Sequence, residues 1–438
     1  MRIDRLTVKN FKGFVDREFN FHPQMNLLVG LNGSGKTSVL DALAVAAGSW
    51  FLGLKGCKLR PIKGKEVRLQ AIHSSNGRHT NGHSGAINWE YQYPALIEAS
   101  GVVLDRELSW TRAVNTKDGG TTFVGAKGIK QIGIEADLAV RSGAQVVLPL
   151  VSYYGTGRLW DTPNEKSGNP AIPDADQMSR LSGYHNSIDP RVSVSDLIRW
   201  IVNQSWVTFQ QGLRSIAYEA ARTAMLGCIE DAKDIDYDAK RQEVIVEIGN
   251  QGKQPFGNLS DGQRCLLAMV GDLAQKAITL NPALEDRALA ETPGVVLIDE
   301  LDLHLHPTWQ RSVLENLRMT FPKIQFFATT HSPFLIQSLR SGEELQMLDG
   351  EPTAQLGNKT VDEIALGIMG VPSTLGARYQ EMKDTATNYL QALDAAAKTP
   401  PEKLADFQER LSKSVAPYAD NPAYQAFLEM KRAAKLGS

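Results

Sequence analysis

Residues 30–37 carry the feature that most constrains this chain, since they read Gly-Leu-Asn-Gly-Ser-Gly-Lys-Thr and fit the pattern G-x-x-x-x-G-K-[ST]. The apolar run Met25–Val29 before them predicts a buried strand, and the spacing after them predicts a helix from about Lys36 to Ala47. A glycine-rich turn between a strand and a helix directs backbone N–H groups and a helix N-terminus at phosphate oxygens. The alternative, a chance glycine turn, does not require these flanking elements. The segment therefore predicts a nucleotide site.

The residues of this loop are expected to have different roles in nucleotide binding. The Lys36 ammonium would neutralise the β and γ phosphates of ATP, and the Thr37 hydroxyl would bind Mg²⁺. The residues predicted to hold the nucleotide are Gly30, Asn32, Gly33, Ser34, Gly35, Lys36, Thr37 and Ser38.

A second segment pairs an apolar strand with two acids. Gly294–Ile298 is continuously hydrophobic, as expected of a parallel strand buried on both faces, and it leads directly into Asp299 and Glu300. Asp299 at the end of such a strand can hold Mg²⁺, and Glu300 can act as the general base for an attacking water. Two solvated acids after a core strand are the alternative. The phosphate-binding loop upstream favours the catalytic interpretation.

The order of elements predicts an α/β fold. Strand 294–298, helix 307–320 and strand 324–329 form a strand–helix–strand unit and thus a parallel sheet. Residues 51–150 mix short alternating runs with Gly, Asn and Thr clusters, which predicts an antiparallel β lobe with long loops. Apolar residues at a spacing of three to four predict helices over about 193–231.

We therefore expect four regions. These are an N-terminal ATPase lobe (1–175), a helical insertion (176–240), a C-terminal ATPase lobe (241–350) and a helical C-terminal region (351–438).

The segment Leu259-Ser260-Asp261-Gly262-Gln263 precedes a predicted helix and resembles the signature sequence of the ABC ATPase superfamily. That resemblance implies an ABC-type head, in which Ser260, Gly262 and Gln263 contact the γ-phosphate held by a second subunit. A simple Ser or Asp helix cap is the alternative. Asp261 departs from the family's glycine and would place a negative charge near the phosphate.

His331 follows the next strand, and its position after Glu300 resembles that of the ABC switch histidine. The resemblance implies that it senses the γ-phosphate, while a helix cap is the alternative. The glutamine-loop residue stays open between Gln70 and the turn Tyr153–Arg158.

The opening Val8-Lys9-Asn10-Phe11-Lys12-Gly13-Phe14 resembles the SMC and RecF group of this superfamily. A more specific resemblance is to the PtuA ATPases of Septu and retron-associated anti-phage systems. It is carried by Leu148–Trp160, by Asp299–Pro307 and by Val361–Val371.

The PtuA resemblance implies self-association and control of an HNH nuclease similar to PtuB. A retron reverse transcriptase with its RNA–DNA product is a further partner that it implies. The alternative is a RecF-like repair ATPase that acts as a clamp on DNA.

The C-terminal region contains apolar residues among charges, at a spacing typical of amphipathic helices. These residues would either pack within their own domain or form a docking face for a nuclease. They are Tyr389, Leu390, Leu393, Tyr424, Phe427 and Leu428.

The net charge of −2 gives no global basic field, so a DNA partner would need a local patch. The run from Lys55 to Arg68 supplies six cations and is either such a patch or a solvated loop. Three widely spaced cysteines predict a reduced, cytoplasmic protein, and the apolar stretches are too short to span a bilayer, so no membrane partner is expected.

Overall fold

The computed structural model describes residues 1–73, 87–157, 179–191, 194–349 and 359–371, and beyond these only positions 376, 380, 381, 384, 387, 388, 391, 430 and 431. The chain forms two compact units, Met1–Ile364 and Ala365–Ser438. All of the secondary structure discussed below begins in the first unit.

A parallel five-stranded sheet forms the core of this unit. Its strands are β3 (Met25–Val29), β8 (Leu150–Tyr154), β12 (Gly294–Ile298), β13 (Ile324–Thr329) and β14 (Leu345–Met347). The spatial order is β14-β3-β13-β12-β8, with every neighbouring pair parallel. Because the carboxyl ends of parallel strands share one edge, the loops after β3, β8, β12, β13 and β14 lie along the same edge of the sheet.

An antiparallel sheet packs beside this core in the order β2-β1-β6-β7. Its strands are β1 (Arg2–Phe11), β2 (Phe14–Asn20), β6 (Ala95–Val103) and β7 (Arg106–Val114). A separate hairpin pairs β4 (Leu69–His73) with β5 (Ile87–Tyr91). A third small antiparallel sheet consists of β9 (Ala232–Asp238), β10 (Glu243–Ile248) and β11 (Gly252–Pro255).

The α-helices surround these sheets. They are α1 (Lys36–Ala47), α2 (Lys127–Arg141), α3 (Val194–Gln211), α4 (Ile216–Leu226), α5 (Asp261–Leu280), α6 (Ala288–Glu291), α7 (Pro307–Thr320), α8 (Pro333–Gln337) and α9 (Val361–Gly367). Within the described ranges, none of them is long and apolar enough to cross a membrane.

The predicted fold class, an ABC-type α/β head with a parallel core sheet, an antiparallel lobe and inserted helices, is confirmed. Local pattern placed β3, α1, β12, α7 and β13 at the bounds that the structure shows.

Two local predictions differ from the structure. The antiparallel lobe also contains α2, whose Ile129, Ile132 and Ala136 are buried on one face although two glycines interrupt the helical pattern. The apolar run Val146–Val151 predicts a strand over its whole length, but β8 begins only at Leu150. The Leu148 N–H donates to Asn281 Oδ1 at 2.7 Å, and the Asn281 amide donates to the Leu148 carbonyl at 2.9 Å. Leu148 therefore bonds to a side chain and not to a neighbouring strand.

Candidate functional site

The loop between β3 and α1 has the backbone that phosphate binding requires. Gly35 caps α1 with φ of 101°, a left-handed conformation that costs glycine little. The Lys36 amine donates hydrogen bonds to the carbonyl oxygens of Gly30 at 2.8 Å and Leu31 at 3.0 Å. Burial lowers the pKa of Lys36, while carboxylates around it act in the opposite direction. The buried hydroxyl of Ser34 has no hydrogen-bond partner among the described residues. A phosphate would therefore satisfy groups that this loop already directs inward.

The acids predicted to serve this site lie at the end of β12, next to the loop. The Thr37 hydroxyl donates to Asp299 Oδ2 at 3.0 Å, so the two predicted magnesium ligands meet. Thr329 at the end of β13 holds the same carboxylate, with its hydroxyl 2.6 Å from Asp299 Oδ1. The parallel register of β12 with β13 makes this contact possible. Sequence reasoning missed Thr329, although a threonine that ends an apolar strand was visible.

Glu300 has a φ of 49°, which is uncommon for a residue with a side chain. Its backbone N–H donates to the Thr329 hydroxyl at 2.7 Å, and the N–H of Leu301 donates to the Thr329 carbonyl at 2.9 Å. This turn thus fixes the backbone of the predicted general base next to Asp299.

The predicted switch histidine follows β13 on the same edge of the sheet. His331 has an exposed side chain, and its backbone N–H donates to Asp302 Oδ1 at 3.3 Å. The Thr330 hydroxyl donates to the same oxygen at 2.6 Å. Asp302 therefore links the segment after Glu300 to the segment that carries His331. The helix cap that follows is Ser332 rather than His331, since Ser332 Oγ accepts the N–H groups of the next turn.

The signature residues lie at the start of α5. Ser260 is exposed and caps the helix, with its hydroxyl accepting the N–H of Gln263 and with the Gln263 side chain accepting the N–H of Ser260 at 3.0 Å. Gly262 packs against the carbonyl oxygen of His304, where an added Cβ would overlap that atom. Asp261 forms an ion pair with Arg264. The expected extra negative charge at this position is therefore partly neutralised within the helix.

Of the two glutamine-loop candidates, the turn after β8 lies beside the acids. Ile298 pairs with Tyr154, and the Asp299 N–H donates to the Tyr154 carbonyl at 2.7 Å. Gln70 lies in the β4–β5 hairpin, where its side chain accepts a hydrogen bond from Arg68 at 3.1 Å. Arg158, the last residue of the candidate turn, lies outside the described residues.

An open cavity of about 580 Å³ lies close to the nucleotide loop. The Phe14 ring packs against Gly35, and Lys12, two residues before it, lines the cavity together with Lys63 and Lys65. Arg60 lies in its wall and pairs with Glu66 at 2.7 Å and with Asp41 at 2.8 Å. One of the six cations in the predicted basic run is thus committed to buried ion pairs.

Comparison with known proteins agrees with this arrangement. Residues 5–200 match the family described as an AAA domain, and residues 142–337 match the family described as an AAA domain, putative AbiEii toxin, type IV TA system. The retron Vc95 probable ATPase of Vibrio cholerae serotype O1 biovar El Tor is 45% identical over 399 residues, which span 80% of this chain and 74% of the relative. The retron Ec83 probable ATPase of Escherichia coli is 24% identical over 78% of this chain and 70% of its own length.

The Septu protein PtuA of Bacillus mycoides (strain KBAB4) is 23% identical over 94% of this chain, which spans 50% of that protein. Among solved structures, an SMC head bound to the C-terminal winged-helix domain of ScpA is 13% identical, covers 79% of this chain and 94% of its own, and has a TM-score of 0.47.

The fold, together with the meeting of the nucleotide loop and the acids after β12, defines an ABC-type P-loop ATPase. The extent and identity of the match to the Vibrio cholerae protein go further. The chain belongs to the family of the retron ATPases and is also similar to the Septu PtuA proteins.

Proposed function

We propose that this ATPase binds ATP and Mg²⁺ between two copies of the chain and that ATP-driven pairing regulates a partner nuclease in anti-phage defence. The observation that carries the proposal is the exposure of Ser260 at the start of α5. The loop and acids meet at Thr37 and Asp299, whereas the exposed Ser260 belongs to a helix start that packs on His304. A second head would supply its own Ser260 and Gly262 to the phosphates bound here.

The chemistry follows from the positions of the side chains. Lys36 and the loop N–H groups would bind the β and γ phosphates. Mg²⁺ bound by Thr37 and Asp299 would neutralise phosphate charge. Glu300 would accept a proton from the attacking water, and His331 would donate a hydrogen bond to the γ-phosphate.

The test of pairing uses Glu300→Gln, which keeps the shape of the side chain and removes the base. We expect hydrolysis to slow by about 10²-fold or more, so that ATP holds two heads together. Sedimentation with and without ATP and Mg²⁺ measures the pairing, with Ser260→Arg in the same background as the control that should stay unpaired. A mass that is independent of ATP, together with an unchanged conformational signal if the chain is already a dimer, would contradict the composite site.

The partner is proposed to be an HNH nuclease of the PtuB kind, supported by the similarity to Septu PtuA. The predicted docking residues, Tyr389, Leu390, Leu393, Tyr424, Phe427 and Leu428, lie outside the described residues. Truncation after Gly376 retains the whole first unit, Met1–Ile364. The truncated chain should keep ATP binding and lose co-purification of a co-expressed nuclease. The double variant Leu390→Asp/Leu393→Asp in the full chain should have the same effect.

Two results would contradict this division of labour. Retention of the nuclease by the truncated chain would place the docking face elsewhere. Degradation of DNA by the isolated ATPase would assign cleavage to this chain. DNA-stimulated hydrolysis with no nuclease partner would instead favour the RecF-like clamp.

A nucleic-acid contact is proposed at the β4–β5 hairpin and the basic run, and it would serve a retron RNA–DNA product or another DNA. Trp89 and Tyr91 are 61% and 44% exposed, and Leu69 opposite Tyr91 is 43% exposed. Register places all three on one face of the hairpin, because paired residues and residues two apart share a face. Leu69 also lines the cavity that contains Lys12, Lys63 and Lys65. Stacked bases on the aromatic residues and phosphates on Lys63 and Lys65 fit this surface, whereas Lys12 forms an ion pair with Asp41.

The test measures binding of a labelled single-stranded oligonucleotide and of ATP to Trp89→Ala and Lys65→Glu. We expect each change to weaken oligonucleotide binding by about fivefold or more and to leave ATP affinity unchanged. Weakened ATP binding with normal oligonucleotide binding would assign the cavity to the nucleoside of ATP.

The three cysteines are free thiols, which supports the proposed cytoplasmic location.

A further inference from the structure

Asp349, two residues after the end of β14, lies beside the nucleotide loop. Strand β14 pairs in parallel with β3, with Met347 opposite Val29. The ladder continues one residue further, since the Leu348 N–H donates to the Val29 carbonyl at 2.9 Å. The two strands therefore end at the same level, and Asp349 lies next to the first residues of the loop after β3.

One peptide group connects Asp349 to Lys36. The peptide between Gly30 and Leu31 accepts a hydrogen bond from the Lys36 amine at its oxygen, at 2.8 Å. The N–H of the same peptide donates to Asp349 Oδ2 at 3.1 Å. Because hydrogen bonds at the two ends of a peptide polarise each other, the carboxylate strengthens the acceptor that orients the ammonium.

Asp349 also carries a negative charge next to the loop. This charge opposes the binding of an anion, so its effect on ATP affinity has to be separated from that of the hydrogen bond.

We propose that Asp349 is a positioning residue of the ATP site, which fixes the Gly30–Leu31 peptide by accepting the Leu31 N–H and thereby orients Lys36 toward the phosphates. Asp349 does not itself contact the nucleotide in this proposal. The inference concerns the ATPase activity and does not depend on pairing of heads or on a nuclease.

The experiment compares three substitutions of Asp349 in the full chain. Asp349→Ala removes the acceptor, Asp349→Glu keeps the charge but moves the acceptor by one methylene, and Asp349→Asn keeps an acceptor oxygen and removes the charge. Calorimetric titration with ATP should show Kd raised about three- to tenfold in the Ala and Glu variants and within about twofold of the parent in the Asn variant. Steady-state KM should rise with Kd, and kcat should stay within about twofold, since Asp299 and Glu300 are untouched.

Glu343→Ala is the matched control, because it removes an exposed acid from the turn just before β14 and should leave Kd unchanged. Thermal unfolding without nucleotide checks that each variant is folded, and should the Ala variant unfold, the Glu and Asn pair gives the same comparison. Unchanged affinity in the Ala and Glu variants would overturn the proposal. An Asn variant as weak as Ala would assign the effect to charge, and tighter binding in any variant would show that repulsion dominates; either result also overturns it.

Discussion

Thr37 and Asp299 are separated by 262 positions in the sequence, yet the Thr37 hydroxyl lies 3.0 Å from Asp299 Oδ2. The Thr329 hydroxyl fixes the other oxygen of the same carboxylate at 2.6 Å. The ends of β12 and β13 and the first turn of α1 thus contribute to a single point. This convergence is what turns a loop motif and an acidic pair into one candidate site.

Asp299→Asn is expected to uncouple ATP binding from Mg²⁺. The amide keeps the hydrogen bond with Thr37 but loses the charge that a hard cation prefers. Hydrolysis should fall by about 10²-fold, and ATP affinity should no longer respond to Mg²⁺. A magnesium titration of both activity and ATP binding measures this. A normal magnesium response would contradict the assignment, and Asp118→Asn, at an exposed acid in a loop of the antiparallel lobe, serves as the control.

Lys36→Ala is expected to abolish measurable ATP binding. The substitution removes charge-assisted hydrogen bonds worth about 3 kcal/mol, which corresponds to more than about 100-fold in Kd. Calorimetric titration with ATP tests this against Lys117→Ala, an exposed lysine in a loop of the antiparallel lobe. ATP affinity equal to that of the parent would refute the phosphate-binding loop.

Gly262→Ala is expected to separate binding from hydrolysis. Its Cβ would overlap the His304 carbonyl, so the loop after Glu300 must shift. We expect ATP binding within about twofold of the parent, because Lys36 and the nucleotide loop make contacts of their own. Hydrolysis should fall about tenfold or more, because Glu300 lies in the segment that shifts. Gly257→Ala is the control, since no atom lies within 4 Å of its added Cβ. Equal loss of binding in Gly262→Ala would contradict this separation.

Arg60→Met is expected to destabilise the fold rather than weaken a contact with nucleic acid. Arg60 is 9% exposed and bonds to both Glu66 and Asp41, and its pKa is raised: burial opposes its charge, but the hydrogen bond and charge of Glu66 outweigh that. Its loss leaves buried carboxylates without their partner, at a cost of about 3 kcal/mol. Chemical denaturation measures the change, and Lys65→Met, an exposed neighbour, should be neutral. Equal stability of the two variants would show that the buried pair contributes little.

The sequence alone determined the elements whose signals are local. A short, mostly apolar run predicts β3 and β12 without knowledge of any neighbour, and Pro307 at a first helical position predicts the start of α7. The same holds for the loop motif, because its glycines, Lys36 and Thr37 act through backbone geometry that adjacent residues set. The α/β fold class followed from the order of these elements, and the resemblance of residues 259–263 to the ABC signature implied the ABC-type head.

Elements that depend on distant contacts were predicted less well. Strand β8 begins later than its apolar run predicts, because both backbone groups of Leu148 form hydrogen bonds with the side chain of Asn281, which is far along the chain. Helix α2 contains two glycines, which weaken the local helical pattern, and it is stabilised by the burial of one face.

Only the tertiary structure decided which side chains meet at the site. The neutralisation of Asp261 by Arg264, the burial of Arg60 and the placing of the β8 turn beside Asp299 all depend on packing. Asp349 is the clearest case, since it reaches Leu31 only because β14 joins β3 across 318 positions of sequence. A hydrogen bond requires two atoms about 3 Å apart. For residues far apart in the sequence, only the folded sheet sets that distance.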